Sequence, residues 1–307
     1  MLSFILKRIG SLIPVCLGVL LVVVGMIHFV PGDPVDIILG DYATLADKNA
    51  LRHELGLDET VIKQTGRYIM HAAQGDLGHS LIYQKSVNEL IMERLPATIR
   101  LAIASLLVAL LISIPLGIIA SVNAGTKIDF AAMSFAVSGV AIPTFWLGPL
   151  LILLFAVELG WLPVSEMGSW KSYLLPAFSM GIPLAAALSR ITRNSMLDTL
   201  KEDFVRTARA KGCSESRVIL SHAFRNASLP LVTVVGLQFG VLMTGAIITE
   251  KVFDWPGLGS LLVEGINTRD YPVVQGCLLF FSGSYLLVNL LTDIAYSLVD
   301  PRIRLST

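Results

Sequence analysis

LAIASLLVALLISIPLGIIASV, residues Leu101–Val122, runs for 22 residues without a charged side chain. A helix rises about 1.5 Å per residue, so about 20 apolar residues cover the roughly 30 Å hydrocarbon core of a bilayer. The stretch reads as a transmembrane helix. Working outward, five more segments qualify: Ile9–Val30, Phe130–Val157, Tyr173–Ile191, Leu229–Thr249 and Val273–Val299. None alternates polar and apolar residues as barrel strands do, and lipid admits only helices or closed barrels. The expected fold class is an all-α integral membrane protein with about six transmembrane helices. Composition agrees, since 54% of the 307 residues are hydrophobic and only 15% are charged. The mean hydropathy of +0.72 exceeds what a soluble domain needs.

Prolines punctuate these spans. Pro115 lies inside the second, and Pro143 and Pro149 are expected to bend the third, because each removes a backbone donor and clashes with the preceding turn. Tyr173–Ile191, with Pro176 and Pro183, is the least hydrophobic of the six. Lys and Arg set the orientation. With both termini in the cytoplasm, the inner segments hold Lys7, Arg8, Lys127, Arg190, Arg193, Lys201, Arg206, Arg209, Lys211, Arg217, Arg225, Arg302 and Arg304, while the outer loops collect acids such as Asp33, Asp36, Glu54, Asp58 and Asp76. The formal net charge of zero hides this gradient and points to no nucleic-acid partner. The opening span ends in Pro31-Gly32-Asp33-Pro34 rather than in a small-residue cleavage site, so it reads as an uncleaved signal anchor. Cys16, Cys213 and Cys277 have no close spacing of the kind that metal or redox work requires, and read as small apolar residues.

The chain divides into a cytoplasmic amino terminus with the first span (1–30), a small helical extracytoplasmic insertion (31–97), a core with five spans (98–299) that includes a cytoplasmic loop at 192–226, and a cytoplasmic tail (300–307). Within the insertion, Thr44-Leu45-Ala46-Asp47 and Ser86-Val87-Asn88-Glu89 fit capping boxes and mark two helix starts. A third helix is expected from Asp58, with Val61, Thr65 and Ile69 along one face, to near Gly75.

The inner loop carries the main functional signal. Asp203-Phe-Val-Arg-Thr-Ala-Arg-Ala-Lys211-Gly212 reads as a short helix with acids Glu202 and Asp203 at its positive end, Lys211 near its negative end and Gly212 as terminator. Phe204 and Ala208 lie one turn apart, and Arg206 and Arg209 project from another sector. Ser214 is expected to cap a second helix reaching about Arg225. An amphipathic helix lying under a bundle suits a groove on a soluble partner. The competing reading is a solvated basic loop that merely obeys the charge rule.

Here the chain resembles a known family. Arg206-Thr207-Ala208, three residues and Gly212, followed by Asn226-Ala227-Ser228-Leu229-Pro230, is similar to the coupling loop of type I ABC importer permeases, whose general pattern is Glu-Ala-Ala, three residues, Gly and a later Ile-x-Leu-Pro. Arg206 and Thr207 stand where that pattern has Glu and Ala, Ala227 stands for Ile, and the spacing after Gly212 is longer. These departures match the dipeptide, oligopeptide and nickel branch, as does His222-Ala-Phe-Arg-Asn-Ala-Ser-Leu-Pro230. Pro31-Gly32-Asp33-Pro34, Gly75-Asp76-Leu77-Gly78, Arg94-Leu95-Pro96-Ala97-Thr98, Trp161-Leu162-Pro163, Trp255-Pro256-Gly257-Leu258-Gly259, Arg269-Asp270-Tyr271-Pro272 and Asp300-Pro301-Arg302-Ile303-Arg304 also resemble that branch's first permease subunit, over essentially the whole chain.

The resemblance implies the type I importer permease fold and a non-enzymatic role as half of a translocation pathway. It further implies a paralogous permease as heterodimer partner, two ATPase subunits that bind ATP and Mg, and an extracytoplasmic binding protein, all at a bacterial inner membrane. The ATPase contact would be carried by Phe204, Arg206, Thr207, Ala208, Arg209, Ala210, Lys211 and Gly212. The cargo implied is a peptide, with glutathione-type members nearest, and a nickel chelate as the alternative. The chain has no Gly-x-x-x-x-Gly-Lys-Ser/Thr phosphate loop of its own. Polar or soft residues in the fifth span, Gln238 and Met243, are candidates to line the pathway, or else to bond neighbouring helices. Asp293 reads as a partner of another helix, near Asn289 and Tyr296. His28 with Met26 reads as packing, so neither a metal site nor a catalytic group is expected. An intramembrane protease lacks paired catalytic groups at matched depth. A secondary carrier working alone remains the distant alternative.

Overall fold

The computed structural model describes residues 43–54, 57–164 and 169–299, together with 39, 40 and isolated earlier positions. Most of the expected first span, with Cys16, Met26 and His28, and the tail lie outside the described residues. In chain order the helices are α1 (Leu45–Glu54), α2 (Val61–Ala73), α3 (Val87–Val122), α4 (Lys127–Ala141), α5 (Thr144–Leu151) continued by a π-helix (Ile152–Glu158), α6 (Leu174–Thr199) preceded by a 3-10 turn, α7 (Asp203–Ala210), α8 (Glu215–Arg217) with a π-helix (Val218–Ala223), α9 (Phe224–Gly245), α10 (Ile247–Val252), α11 (Leu258–Asn267) and α12 (Tyr271–Val299). Extended pairing among the described residues is limited to an isolated bridge between His79 and Ser86. The chain forms two compact units, one of residues 1–98 and 256–287, the other of 99–255 and 288–306.

In the first unit local chemistry sets the helix starts. Thr44 Oγ1 accepts from the Asp47 amide at 3.2 Å while the Asp47 carboxylate accepts from the Thr44 amide at 3.3 Å, the reciprocal capping box expected from the sequence. α2 begins at Val61 rather than Asp58, because the Asp58 carboxylate pairs with His53 Nδ1 at 2.7 Å instead of capping. Several motifs behind the family resemblance prove to be structural joints. Asp270, fully buried, accepts from Ser80 Oγ at 2.5 Å and from the amides of Leu81 and Ile82 at 3.2 and 3.3 Å, pinning residues 80–82 to the turn between α11 and α12. Thr98 Oγ1 accepts from the Leu258 amide at 2.8 Å, satisfying an otherwise orphan donor in the first turn of α11. Asp76 Oδ1 accepts from the Gly78 amide at 2.9 Å.

The second unit is built around α6, against which α4, α5, α9 and α10 pack. This explains why the expected span Tyr173–Ile191 is the least hydrophobic. In its most apolar 18-residue stretch 61% of the residues are buried, against 28% for the corresponding stretch of α3, so its solvent is other helices and small residues serve better than large ones. A Cβ on Gly181 would stand 2.8 Å from the Ser105 carbonyl oxygen and 2.8 Å from Val108 of α3. A G181V variant is therefore expected to lose about 3 kcal/mol, the high end of overpacking costs, read as a large drop in the thermal melt and loss of the monodisperse peak in detergent. G66A, at an α2 site with nothing within 4 Å, should not lower either and should raise the melt slightly through helix propensity.

Among the described residues four helical runs are long and apolar enough to cross a membrane, Val87–Val122, Trp170–Thr199, Glu215–Thr244 and Tyr271–Thr292. A fifth results if the pair Lys127–Ala141 and Phe145–Glu158, bent by 105°, forms one span. That pair replaces the expected single span Phe130–Val157. Pro143 causes the break, because it forces Ile142 out of the helical region to φ −82°, ψ 121°, whereas Pro149 stays inside α5. The expected second helix of the inner loop also merges into α9, giving the continuous run Glu215–Thr244.

Candidate functional site

The loop reduces to α7 and its flanks, because α6 continues to Thr199. α7 is strongly two-faced. Val205 and Ala208, three residues apart, are 0% and 7% exposed and pack with Met196, Val218, Ala223 and Ala227 in a small core that also takes Cys213 and Phe224 at its edge. The other face, with Arg206, Thr207 and Ala210, is open, as are Lys211 and Gly212 at its end, and Phe204 at the edge of the buried stripe is 41% exposed. Ala208, one turn from Phe204, packs inward and helps anchor the helix from behind. Val205, the main anchor, was passed over in the sequence. Its signal was the Val205–Ala208 spacing, an i, i+3 pair that is as good a helix stripe as Phe204–Ala208.

The end of α7 follows the expected chemistry. Gly212 has φ +76°, a conformation glycine adopts without Cβ strain, and its amide bonds the Arg209 carbonyl at 2.9 Å while the Cys213 amide bonds Ala208 at 3.3 Å. Arg209 is engaged within the chain. Its Nε and Nη2 donate to Glu215 at 2.8 and 3.3 Å, and this bond to a carboxylate holds the guanidinium still more firmly in its charged form. Arg206 reaches Asp203 at 3.6 Å, with 75% of its side chain exposed. Ser214 occupies the next cap position without a side-chain hydrogen bond.

Behind the loop, Arg193 of α6 grips Asp129 in the first turn of α4 with two parallel bonds, Nε to Oδ1 and Nη2 to Oδ2, both 2.6 Å. The Gly125 amide adds a third donor at 2.9 Å. Asp129 is 5% exposed, so this fork ties α4 to α6, the helix that leads into α7. In the sequence Arg193 served only as an orienting charge, and no local pattern pairs it with a residue 64 positions away.

Deeper in the second unit lies a cavity of about 350 Å³ between α6 and α9, lined by Met180, Pro183, Leu184, Gln238, Val241, Leu242 and Thr249. It brings Gln238, a candidate pathway residue, to an otherwise largely apolar wall. Met243 is 5% exposed and not part of that lining. Among the described residues no group of three or more His, Cys, Asp or Glu is placed to hold a metal ion.

Comparison with known proteins bears on this arrangement. Residues 113–305 match the family described as binding-protein-dependent transport system inner membrane component, and residues 1–102 match the amino-terminal region of such membrane components. The glutathione transport system permease protein GsiC of Salmonella paratyphi A is 45% identical over 304 residues, covering 99% of each chain. GsiC of Escherichia coli K12 is also 45% identical with the same coverage. Among solved structures, an inward-facing MetNI methionine ABC transporter aligns with a TM-score of 0.57 at 17% identity, over 69% of this chain and 96% of that one. An amino acid ABC transporter aligns at 0.52 and 16%, over 70% and 94%. These two share the fold.

Proposed function

This chain belongs to the family of binding-protein-dependent transport system inner membrane components, and we propose that it forms half of the translocation pathway of an ATP-driven importer of short peptides, glutathione foremost among them. The observation that carries the coupling role is α7, whose Val205 and Ala208 are sunk in the chain's own core while Phe204, at the edge of that stripe, stays 41% exposed. A helix held rigidly from behind transmits displacement, and an aromatic left uncovered in front supplies a contact for a soluble partner. Two ATPase subunits that bind ATP and Mg are the partners for this face, touched through Phe204, Arg206, Thr207, Ala210, Lys211 and Gly212, with Arg209 oriented by Glu215. Closure of the ATPase pair would move α7 and, through α6, shift the bundle between inward- and outward-open populations. A paralogous permease completes the pathway and an extracytoplasmic binding protein delivers cargo. The Lys/Arg bias puts both termini and α7 in the cytoplasm, and Gln238 contributes a polar contact in the α6–α9 cavity.

Glutathione is favoured over a nickel chelate by the 45% identity to GsiC along the full chain. The test is uptake into vesicles containing this chain with its neighbouring permease, ATPases and binding protein, offered labelled glutathione, a dipeptide and nickel–histidine in parallel. Glutathione or dipeptide uptake that disappears without ATP is expected. Nickel uptake alone would reassign the cargo, and gradient-driven uptake by this chain without the ATPases would remove the coupling role.

A further inference from the structure

The first unit contains a cleft of about 300 Å³, formed by α2, the turn after it and the start of α12, with Arg67, Tyr68, His71, Asp76 and Gln275 in its lining. That volume is at the lower end of small-molecule sites. Apart from His71, the formally charged groups are one cation and one anion, and both remain accessible. The side chains of Arg67 and Asp76 are 47% and 48% exposed. Arg67 gives one Nη to Glu59 and retains most of its five donors. Asp76 accepts from the Gly78 amide at 2.9 Å and faces His71 Nδ1 at 3.3 Å, leaving part of its four lone-pair sites open.

The spacing of these charges is informative. Arg67 and His71 are one turn apart on α2, about 6 Å along the axis, and His71 touches Asp76. Because Arg67 leans toward Glu59 at the start of α2 and Asp76 lies past its end, the positive and negative sites stand at least about one helical turn apart along the cleft. Two residues of extended chain span about 7 Å, close to the distance between the ammonium and carboxylate ends of a dipeptide. Between those charges a peptide bond needs neutral partners, and the Gln275 amide is one such group in the lining. The Tyr68 hydroxyl is buried without a partner, and burial keeps that phenol protonated as a donor.

We propose that this cleft is a second peptide site, distinct from the α6–α9 cavity, which takes short zwitterionic peptides with the carboxylate on Arg67 and the ammonium on Asp76. The choice of a peptide rests on the transport reading, whereas the charge pattern by itself calls for a zwitterion. The test titrates the full-length chain in lipid nanodiscs with alanyl-alanine and with its N-acetylated and C-amidated forms, by calorimetry. Saturable binding of the free dipeptide is expected, weakened at least about tenfold by either cap and by R67Q, the loss of one charge-assisted bond. Q275A, which leaves the Arg67–Glu59 pair intact, should weaken it as well, and K127Q, at the exposed start of α4 and in the lining of neither cavity, should not.

Equal binding of the capped forms, or binding that follows Q238A instead of R67Q and Q275A, would refute the cleft. So would absence of dipeptide binding combined with weaker association of the binding protein in R67Q, which would make this a docking contact. Parallel uptake by the complete assembly separates the two readings. Peptide uptake without cleft binding sinks the cleft alone, while cleft binding without ATP-driven peptide uptake sinks the transport reading and leaves a zwitterion site.

Discussion

An F204D variant is expected to lose ATP-dependent uptake, with ATPase association weakened about 100-fold, while the isolated chain melts at the wild-type temperature. The magnitude follows from what a buried aromatic anchor contributes at an interface, about 2–4 kcal/mol on truncation, increased by the cost of burying a carboxylate. The unchanged melt follows from the geometry. Phe204 is 41% exposed and outside the small core that holds α7, so its removal leaves the chain's own packing intact. V205D is the contrasting case, because that side chain is fully buried, and its loss should melt the loop before any partner is involved. Co-purification of the ATPase with each detergent-solubilised variant reads the first effect, and a thermal scan reads the second. Wild-type uptake in F204D would remove α7 from the coupling contact.

D129A should destabilise the second unit by about 3–5 kcal/mol, the cost of stranding one member of a buried pair. Asp129 is 5% exposed and carries three donors. Once it is gone the Arg193 guanidinium is left beside α4 with no acceptor for its fork. R193M alone should be similarly harmful, whereas the double variant D129L/R193M should recover most of the loss, since a well-packed apolar pair of similar volume often equals or exceeds a buried ion pair. A double-mutant cycle on melting temperature measures the coupling directly. If the single variants cost under about 0.5 kcal/mol, as exposed ion pairs do, the fork is a surface contact and α4 is held to α6 by packing alone. Arg193 lies on α6, the helix that leads into α7, so the same variants should also report on transport. An apolar double variant that folds but carries cargo poorly would assign the fork a positioning role in coupling.

Much of the molecule was legible locally. The capping box at Thr44–Asp47, the terminating Gly212 and the long apolar helices are written in spacings of three to twenty residues, and the helices form where those spacings put them. Boundaries shifted where a side chain found a partner outside its own element. Asp58 was expected to start α2 but is taken by His53, and the single span Phe130–Val157 breaks because Pro143 constrains the residue before it. The motifs that carried the family resemblance were recognisable as strings, yet their roles were not. Asp270 is a buried clamp on residues 80–82 and Thr98 an acceptor for Leu258, contacts made across 160 to 190 positions of chain.

Membership of the helical membrane class, the existence of a short basic helix between apolar spans, and the family followed from residue types and their order, because length, periodicity and capping act over one or two helical turns. Which face of that helix is buried, which helix sits at the centre of the second unit, and which carboxylate meets which guanidinium depended on the folded chain. Val205 rather than Phe204 faces inward because the Met196–Ala227 core lies on that side. The least hydrophobic span is the hub because other helices replace lipid around it. Asp129 and Arg193 meet because α4 and α6 pack together. Burial and pairing belong to neighbours in space, and only folding decides who those neighbours are.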